Sequence, residues 1–436
     1  MFSLQKYKNK KIAIYGMGLT GFSAAKALRI LKAKVYCWDD NKRIRNKAKK
    51  LNFKIKKFWS NKNLIDNIVI SPGIDINKCK IKKYLKKNHN KIITDLDLFF
   101  EFNKDALVIS VTGTNGKSTT CKIIEKILRS ANLNVKTIGN IGNPFLFSRK
   151  SKKNIFIFEI SSYQLQYSKV FRTKHAAILN ISPDHLERHK SIKNYIKIKS
   201  RIFFGQKNSD YLYINSTNKY SKMIKKIFKE KKIKSKLTPI NKYTSKALFK
   251  KIKNDYFKSQ GNLENLSFAY AIAKKLKINN KTIIQAINKY KGLPHRQEIV
   301  FSNKKLLCIN DSKATSFNAS LQSLNNYNRI YWIVGGLPKY LDSFNLQQVK
   351  DKIIKAYIVG KNISFFKEQI KKDIDYKISK NIKNAVSDIY SDLKLYPNGK
   401  KTILLSPSAA SFDQFKNFES RGIYFKNLIR RKFKEN

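Results

Sequence analysis

An α/β architecture of three domains, each built on a mainly parallel sheet, follows from three observations. An apolar run, a glycine-rich turn and an amphipathic run follow one another at Lys11–Leu31, and the same succession recurs at Ala106–Leu128. After Gly292-Leu293-Pro294-His295-Arg296 breaks a helical pattern, a third strand–helix rhythm begins and continues to the C-terminal region. At 436 residues, 42% hydrophobic and 12% aromatic, the chain has enough apolar side chains for a core in each domain. The expected boundaries are 1–93, 94–297 and 298–436.

In the first domain, the strand Lys11–Gly16 runs directly into Gly16-Met17-Gly18-Leu19-Thr20-Gly21, and Phe22–Leu31 reads as a helix with alanines facing a sheet. This is a complete G-x-G-x-x-G between strand and helix, a Rossmann-like turn. Its backbone can approach a diphosphate at the helix N-terminus. A second strand, Lys34–Trp38, ends at Asp39-Asp40, about 20 residues past the glycines, where a ribose contact is expected. A third, Asn67–Ile70, ends in the turn Ser71-Pro72-Gly73 on the same edge.

The central domain is P-loop ATPase-like. Asp95–Phe102 reads as a helix leading into the strand Ala106–Val111, then Thr112-Gly113-Thr114-Asn115-Gly116-Lys117-Ser118-Thr119-Thr120 and the helix Cys121–Leu128. Backbone N–H groups and the helix N-terminus wrap phosphates, Lys117 neutralises charge, and a Ser118 or Thr119 hydroxyl reaches Mg²⁺. The general phosphate-loop pattern places a glycine where Val111 stands; here the first glycine is Gly113. The strand Asn154–Phe158 ends in Glu159, a carboxylate placed to hold Mg²⁺ directly or through water. The strand His175–Ile181 ends in Ser182-Pro183-Asp184-His185; of the histidines, His185 has the active-site position, and His89, His175 and His189 read as structural. Tyr195–Ile202 is helical with Lys199 on the side of Tyr195, Tyr211–Ile214 is a short strand, and the chain is then lysine-rich and poorly patterned up to the helix Asn262–Leu276.

The third domain is again Rossmann-like. Its strands Leu306–Ile309, Ile330–Val334, Ala356–Val359 and Thr402–Leu405 carry Asn310-Asp311-Ser312-Lys313-Ala314-Thr315, Gly335-Gly336 and Ser406-Pro407-Ser408 at C-terminal ends, the edge where open α/β sheets bind ligands.

Composition excludes less than the motifs do. No apolar run reaches the ~20 residues of a membrane helix, and Met1–Lys10 has no apolar segment of a signal peptide, so membrane insertion is not expected. Four scattered cysteines (Cys37, Cys79, Cys121, Cys308) without a Cys-x-x-Cys pair suit a reducing cytoplasm. The net charge of +64 is spread along the chain among asparagine and isoleucine, so it reads as solvated surface; Lys222–Lys236 is the densest patch. A nicotinamide-dependent oxidoreductase on Gly16–Gly21 leaves Val111–Thr120 unexplained. A nucleic-acid-stimulated ATPase would suit the charge, but no recognition motif accompanies it and no nucleic-acid partner is expected.

The short-glycine phosphate loop, Glu159, Asp184-His185, Lys199, Asn262, His295-Arg296 and Asp311-Ser312-Lys313-Ala314-Thr315, in this order, resemble the Mur ligases of peptidoglycan synthesis. The resemblance spans Gly16 to Gly422. The segment Leu405–Phe418, with Ser411-Phe412-Asp413-Gln414-Phe415-Lys416-Asn417-Phe418, is similar to the branch that adds D-glutamate, and the Asp-Asn-Pro-Arg of the diaminopimelate-adding branch is absent.

The resemblance implies a UDP-sugar rather than a dinucleotide on the first domain, against Gly18, Leu19, Thr20, Asp39, Asp40, Ser71, Pro72 and Gly73, with Asn140 near it from the second. It implies ATP on Gly113, Thr114, Asn115, Gly116, Lys117, Ser118 and Thr119, with Asn262, His295, Arg296 and Asp311 on the nucleotide. Two Mg²⁺ sites are implied, one on Ser118 or Thr119 with Glu159, the other on His185 and a carbamylated Lys199, since an unmodified lysine has no acceptor. Lys313, Thr315, Lys339, Ser411 and Phe418 are implied around D-glutamate, whose carboxylates call for cationic and hydroxyl donors. The reaction implied is ATP-dependent amide formation on UDP-N-acetylmuramoyl-L-alanine through an acyl phosphate, by a cytoplasmic monomer that closes around its substrates. Two positions depart from the pattern: Asp40 stands where a threonine occurs in relatives, and Gly261 takes the slot of a histidine.

Overall fold

The computed structural model describes residues 5–60, 65–139, 154–339, 342–395 and 399–433. The chain forms two compact units, Met1–Lys258 with Asn262–Tyr290, and Ser259–Gly261 with Lys291–Asn436. Among the described residues the strands make three sheets, two in the first unit and one in the second.

The first sheet holds β1 (Lys11–Tyr15), β2 (Lys34–Trp38), β3 (Asn67–Ile70) and β4 (Ile92–Ile93), all parallel, in the order β2-β1-β3-β4. Alternate residues take opposite faces: Ile12, Ile14, Cys37 and Val69 join one core, and Ala13, Tyr15, Ile68 and Ile70 another. The second sheet, also all parallel, holds β5 (Leu107–Thr112), β6 (Val135–Gly139), β7 (Ile155–Glu159), β8 (His175–Ile178), β9 (Tyr211–Asn215) and β10 (Lys236–Ile240), ordered β10-β9-β8-β5-β7-β6. Val108, Phe156, Phe158, Ala176 and Leu212 face the core shared with the first sheet, which is why the two sheets form one unit. Ile109, Val111, Ile157 and Ala177 face the helices Lys117–Ser130, Gln260–Lys275 and Asn280–Asn288. Burial on both faces explains the near-continuous apolar strands.

The third sheet holds β11 (Glu298–Ser302), β12 (Leu306–Asn310), β13 (Ile330–Gly335), β14 (Ile353–Val359), β15 (Tyr376–Lys380) and β16 (Lys401–Leu405), ordered β11-β12-β16-β13-β14-β15. Only β11 is antiparallel among its described pairings. Trp332, Val334, Ile358 and Leu404 line one core, and Tyr331, Ile333, Tyr357 and Leu405 the other.

Several element limits differ from those expected. The first helix begins at Leu19, inside the glycine turn, and the phosphate-loop helix begins at Lys117 rather than Cys121. The strand expected over His175–Ile181 ends at Ile178, because past the last ladder bond, from the Leu179 N–H to the Thr112 carbonyl, Asn180 turns to the phosphate loop and its carbonyl accepts from the Thr114 N–H. The poorly patterned segment after Asn215 holds the helix Ser221–Glu230 and the strand β10. β10 is an edge strand carrying Pro239, a residue that a sheet tolerates at its edge. No helix among the described residues is long and apolar enough to cross a membrane.

Candidate active site

The central strand β5 pairs with β7 on one side and β8 on the other, with Val111 opposite both Glu159 and Ala177. The phosphate loop, Glu159 and the segment leading to His185 therefore leave one sheet edge side by side. Gly116 caps the helix in the left-handed region at φ +81°, and a Cβ there would lie 2.3 Å from Asn265 Oδ1, so only glycine closes this turn. The first-turn N–H groups of the helix Lys117–Ser130 point at the loop's open end. Thr114 and Asn115 donate their backbone N–H groups to the Asn180 backbone carbonyl (2.9 Å) and Oδ1 (2.8 Å), which ties the loop to the segment after β8. Lys117 Nζ lies over its own loop, donating to the Gly113 and Thr114 carbonyls at 3.0 and 2.8 Å.

Three further groups surround the loop. Glu159 is buried, and its Oε2 has no hydrogen-bond partner. Lys199 is buried on the helix Ile192–Ser200, with Nζ 2.8 Å from the Gly113 carbonyl and 4.7 Å from the Tyr195 ring centre. Burial, then the charge of Lys117, holds the Lys199 amine well below the ordinary lysine range, against the opposing pull of Asp184 and Glu159. His185 adopts a left-handed conformation at φ +55°, with Nδ1 3.0 Å from Tyr163 Oη and Nε2 3.4 Å from Asp184 Oδ2.

A cavity of about 680 Å³ joins this edge to the first sheet. Its wall carries Gly18, Leu19, Thr20, Asp39, Ser71, Pro72 and Gly73 from the first sheet's loops, and Lys117, Tyr163, Gln164, Asp184, His185, Tyr195 and Lys199 from the second's. Gly21 makes the close turn beneath it, since a Cβ there would lie 2.0 Å from the Gly16 carbonyl oxygen. Leu19 is 83% exposed, an apolar side chain presented rather than buried. Asp39 accepts from the Met17 N–H at 2.7 Å. Asp40 is not on the wall: Tyr15 Oη (2.7 Å) and Trp38 Nε1 (3.3 Å) donate to its carboxylate. Asn140 lies outside the described residues. Sequence reasoning missed Tyr163, Gln164 and Asp95 on this wall. Asp95 is 1% exposed with Oδ2 unbonded, and burial pushes its carboxyl up to about 7.

Asn262, in the first unit, is buried and donates to the Tyr256 carbonyl at 3.0 Å. In the second unit, the Lys313 N–H donates to the His295 carbonyl at 3.0 Å, Lys313 Nζ stands 3.8 Å over the Phe418 ring, and that ring lies edge-on to His295. Asp311 is engaged throughout: Ser323 Oγ and Ser406 Oγ donate to Oδ2, and the Gln297 N–H to Oδ1. Arg296, Thr315 and Lys339 are partly buried, and Ser411 is buried. The Gln322 side chain fills the space that a Cβ at Gly261 would take. Arg421 was invisible to motif reasoning. It is 2% exposed and donates to Ser312 Oγ, the Ser312 carbonyl and the Ala409 carbonyl at 2.8–3.0 Å.

Among the described residues no three His, Cys, Asp or Glu side chains converge on a metal position. Mg²⁺ bound with a nucleotide needs fewer, because it keeps waters and takes phosphate oxygens beside one or two carboxylates. The unbonded Glu159 Oε2 next to the phosphate loop fits that demand.

Known proteins are similar to this chain in sequence and in fold. Residues 111–285 match the Mur ligase middle domain. The chain is 36% identical over 452 residues to the UDP-N-acetylmuramoylalanine--D-glutamate ligase of Rickettsia felis, covering 99% of both. It is 35% identical over 445 residues to that of Rickettsia prowazekii, covering 98% of this chain and 99% of the relative. In fold it is similar to MurC, the UDP-N-acetylmuramate-alanine ligase of Thermotoga maritima (TM-score 0.54, 13% identity, 98% and 100% covered). It is similar also to MurF of Acinetobacter baumannii (TM-score 0.55, 17% identity, 76% and 79% covered). The protein is an ATP-dependent amide ligase, and it belongs to the Mur ligase family.

Proposed function

We propose that this ligase joins the alanyl carboxylate of UDP-N-acetylmuramoyl-L-alanine to the amine of D-glutamate, through an acyl phosphate, in the cytoplasm. The observation that carries the reading is the shared cavity, which puts Lys117 and the Ser71–Gly73 turn on one wall; the names of the relatives from both Rickettsia species supply the acceptor. The alanyl carboxylate attacks the γ-phosphorus of ATP and ADP leaves. The amine of D-glutamate then attacks the acyl carbon, and phosphate leaves from the tetrahedral intermediate. Such chemistry rests on positioning and charge neutralisation rather than on a protein nucleophile.

Lys117 swings from its own loop carbonyls onto the transferring phosphoryl group, and the first-turn N–H groups hold the phosphates. Ser118 or Thr119 with Glu159, and His185 with carbamylated Lys199, would hold Mg²⁺, which supplies Lewis-acid neutralisation of the phosphoryl oxygens. The depressed pKa of Lys199 favours the free amine, the form that adds carbon dioxide. Leu19, Thr20 and Asp39 bind the UDP moiety, and Lys313, Thr315, Lys339, Ser411 and Phe418 bind D-glutamate.

A coupled phosphate-release assay offering the UDP-sugar with D-glutamate, L-lysine or L-alanine tests the acceptor. Release with D-glutamate alone is expected, and release with another amino acid but not D-glutamate overturns it. In the same assay, Lys199→Ala is expected to lose at least 100-fold in rate and to recover part of it with a short-chain carboxylic acid. Full activity in the unsupplemented variant sinks the carbamate assignment.

A further inference from the structure

The cavity's two walls come from different sheets, and the side chain of Arg188 joins them. Its backbone N–H donates to the His185 carbonyl at 3.1 Å at the start of the helix Leu186–His189, so Arg188 is fixed to the His185 segment. Its guanidinium crosses to the first sheet's loops. Nη2 donates to the Ile74 carbonyl at 2.5 Å and stands 3.5 Å from Tyr167 Oη, and Nε is 3.8 Å from Asp75 Oδ2. Groups beside the second sheet hold it in place: Nε donates to Gln166 Oε1 at 2.9 Å, and the Tyr163 and Tyr167 ring centres lie 5.4 and 5.9 Å away. Tyr167 Oη also accepts from the Ile76 N–H at 3.2 Å. Both grips are on backbone atoms, so they fix the course of residues 74–76 whatever side chains stand there.

What they hold continues onto the wall. The Ile74 N–H donates to the Ser71 carbonyl at 3.0 Å, closing the turn Ser71-Pro72-Gly73-Ile74. Ser71 Oγ donates to the Gly16 carbonyl at 2.6 Å, which ties that turn to the first glycine loop. Gly16, Ser71, Ile74 and His185 all line the cavity, whereas Arg188 itself does not. Other ties between the same two parts of the chain end off the wall: Ser168 Oγ and the Lys169 and Val170 N–H groups donate to Asp97 Oδ1, and Lys169 Nζ to the His89 and Asn90 carbonyls. We propose that Arg188 is a positioning residue: it sets the Ser71–Ile74 turn against the His185 segment, so that a substrate anchored on the first wall delivers its far end to the phosphate loop. A ligand that spans both walls gains from spacing fixed before it binds, and a ligand that touches one wall does not.

The identity of the spanning ligand rests on the functional reading above; the bridge does not. Hydrogen exchange of the unliganded full chain, read by mass spectrometry on peptides covering residues 71–77, reports the bridge directly. Arg188→Met keeps the length of the stem and loses every donor. It is expected to speed exchange of the Ile74 and Ile76 amides by about tenfold, with the strands of the first sheet protected as in the wild type. Calorimetric titrations then compare UDP, ADP with Mg²⁺, and UDP-N-acetylmuramoyl-L-alanine. The last is expected to bind the variant roughly tenfold more weakly, and the first two within about twofold of the wild type. A merely structural arginine would not separate the three ligands. Unchanged exchange, an unchanged affinity for the UDP-sugar, or an equal loss for all three ligands each overturns the proposal. If Arg188→Met melts early, Arg188→Lys, which keeps the charge without the planar fork, is measured in its place against the same outcomes. A wild type that binds no UDP-sugar would sink the functional reading, and the exchange result would still decide the bridge.

Discussion

Glu159 ends β7 buried, with one carboxylate oxygen unbonded, whereas Asp311, one residue past β12, receives three hydrogen bonds from Ser323, Ser406 and Gln297. The two carboxylates sit at equivalent places, the C-terminal ends of parallel strands, in the two units. In the first unit polar capacity is left open at the cavity: Glu159 Oε2 and Asp95 Oδ2 are buried and unsatisfied. In the second unit the strand-end carboxylate is satisfied and Arg421 binds the Ser312 turn to the Ala409 carbonyl, although Arg421 Nη1 and Ser408 Oγ are buried without a hydrogen bond. An unsatisfied buried group costs stability, so it persists where a ligand satisfies it. The open carboxylate of Glu159 is what the proposed site requires, and the bonded carboxylate of Asp311 holds neighbouring side chains in place.

The largest expected effects separate these roles. Glu159→Gln removes a buried carboxylate whose Oε2 makes no hydrogen bond. It is expected to lower the rate of phosphate release by roughly 100-fold or more while changing stability by no more than about 0.5 kcal/mol. Arg421→Met strips the Ser312 and Ala409 carbonyls of their donor, and is expected to destabilise the protein by about 3 kcal/mol. Urea melts alongside the phosphate-release assay read both. An Arg421→Met protein as stable as the wild type, or a Glu159→Gln protein that melts early with its rate intact, would dissolve the contrast.

The same difference accounts for what the sequence made readable. The strand–glycine turn–helix units announce themselves because their geometry depends on residue type: Gly116 in the left-handed region and Gly21 against a carbonyl admit nothing larger. Lys117, Glu159 and His185 each follow an apolar run, and the parallel ladder brings the ends of those runs side by side. Asp40 follows the same spacing, yet Tyr15 and Trp38 claim it, a pairing between β1 and the end of β2 that no linear pattern encodes. β10 escaped because an edge strand needs little apolar alternation, and Lys236, Thr238 and Pro239 supply little. Arg421 and Tyr163 were missed for a different reason: their partners lie 109 and 22 residues away, and only the fold brings them together.

A subtler pair of substitutions tests whether burial or bonding governs the two carboxyls. Burial is the first cause of the upward shift in both, Asp95 to about 7 and Asp311 to about 6 from 3.8. A carboxyl whose folded pKa is raised contributes no penalty below pH ~4; as pH rises through the folded value, the unfolded chain has already released its proton and the native state is penalised. Asp95→Asn removes that penalty and forfeits only the bond from the Leu96 N–H to Oδ1, which an amide oxygen can still accept. It is expected to stabilise by on the order of 1–3 kcal/mol at pH 8, with the gain shrinking toward zero near pH 4. Asp311→Asn removes the same penalty but weakens charge-assisted bonds from two serines and a backbone N–H, so at pH 8 it is expected to destabilise by about 1 kcal/mol. Thermal melts of both variants and the wild type from pH 4 to 8 give the differences directly. Equal stabilisation by the two asparagines would mean that desolvation alone decides at both strand ends, and the distinction between an open site and a closed frame would fail there first.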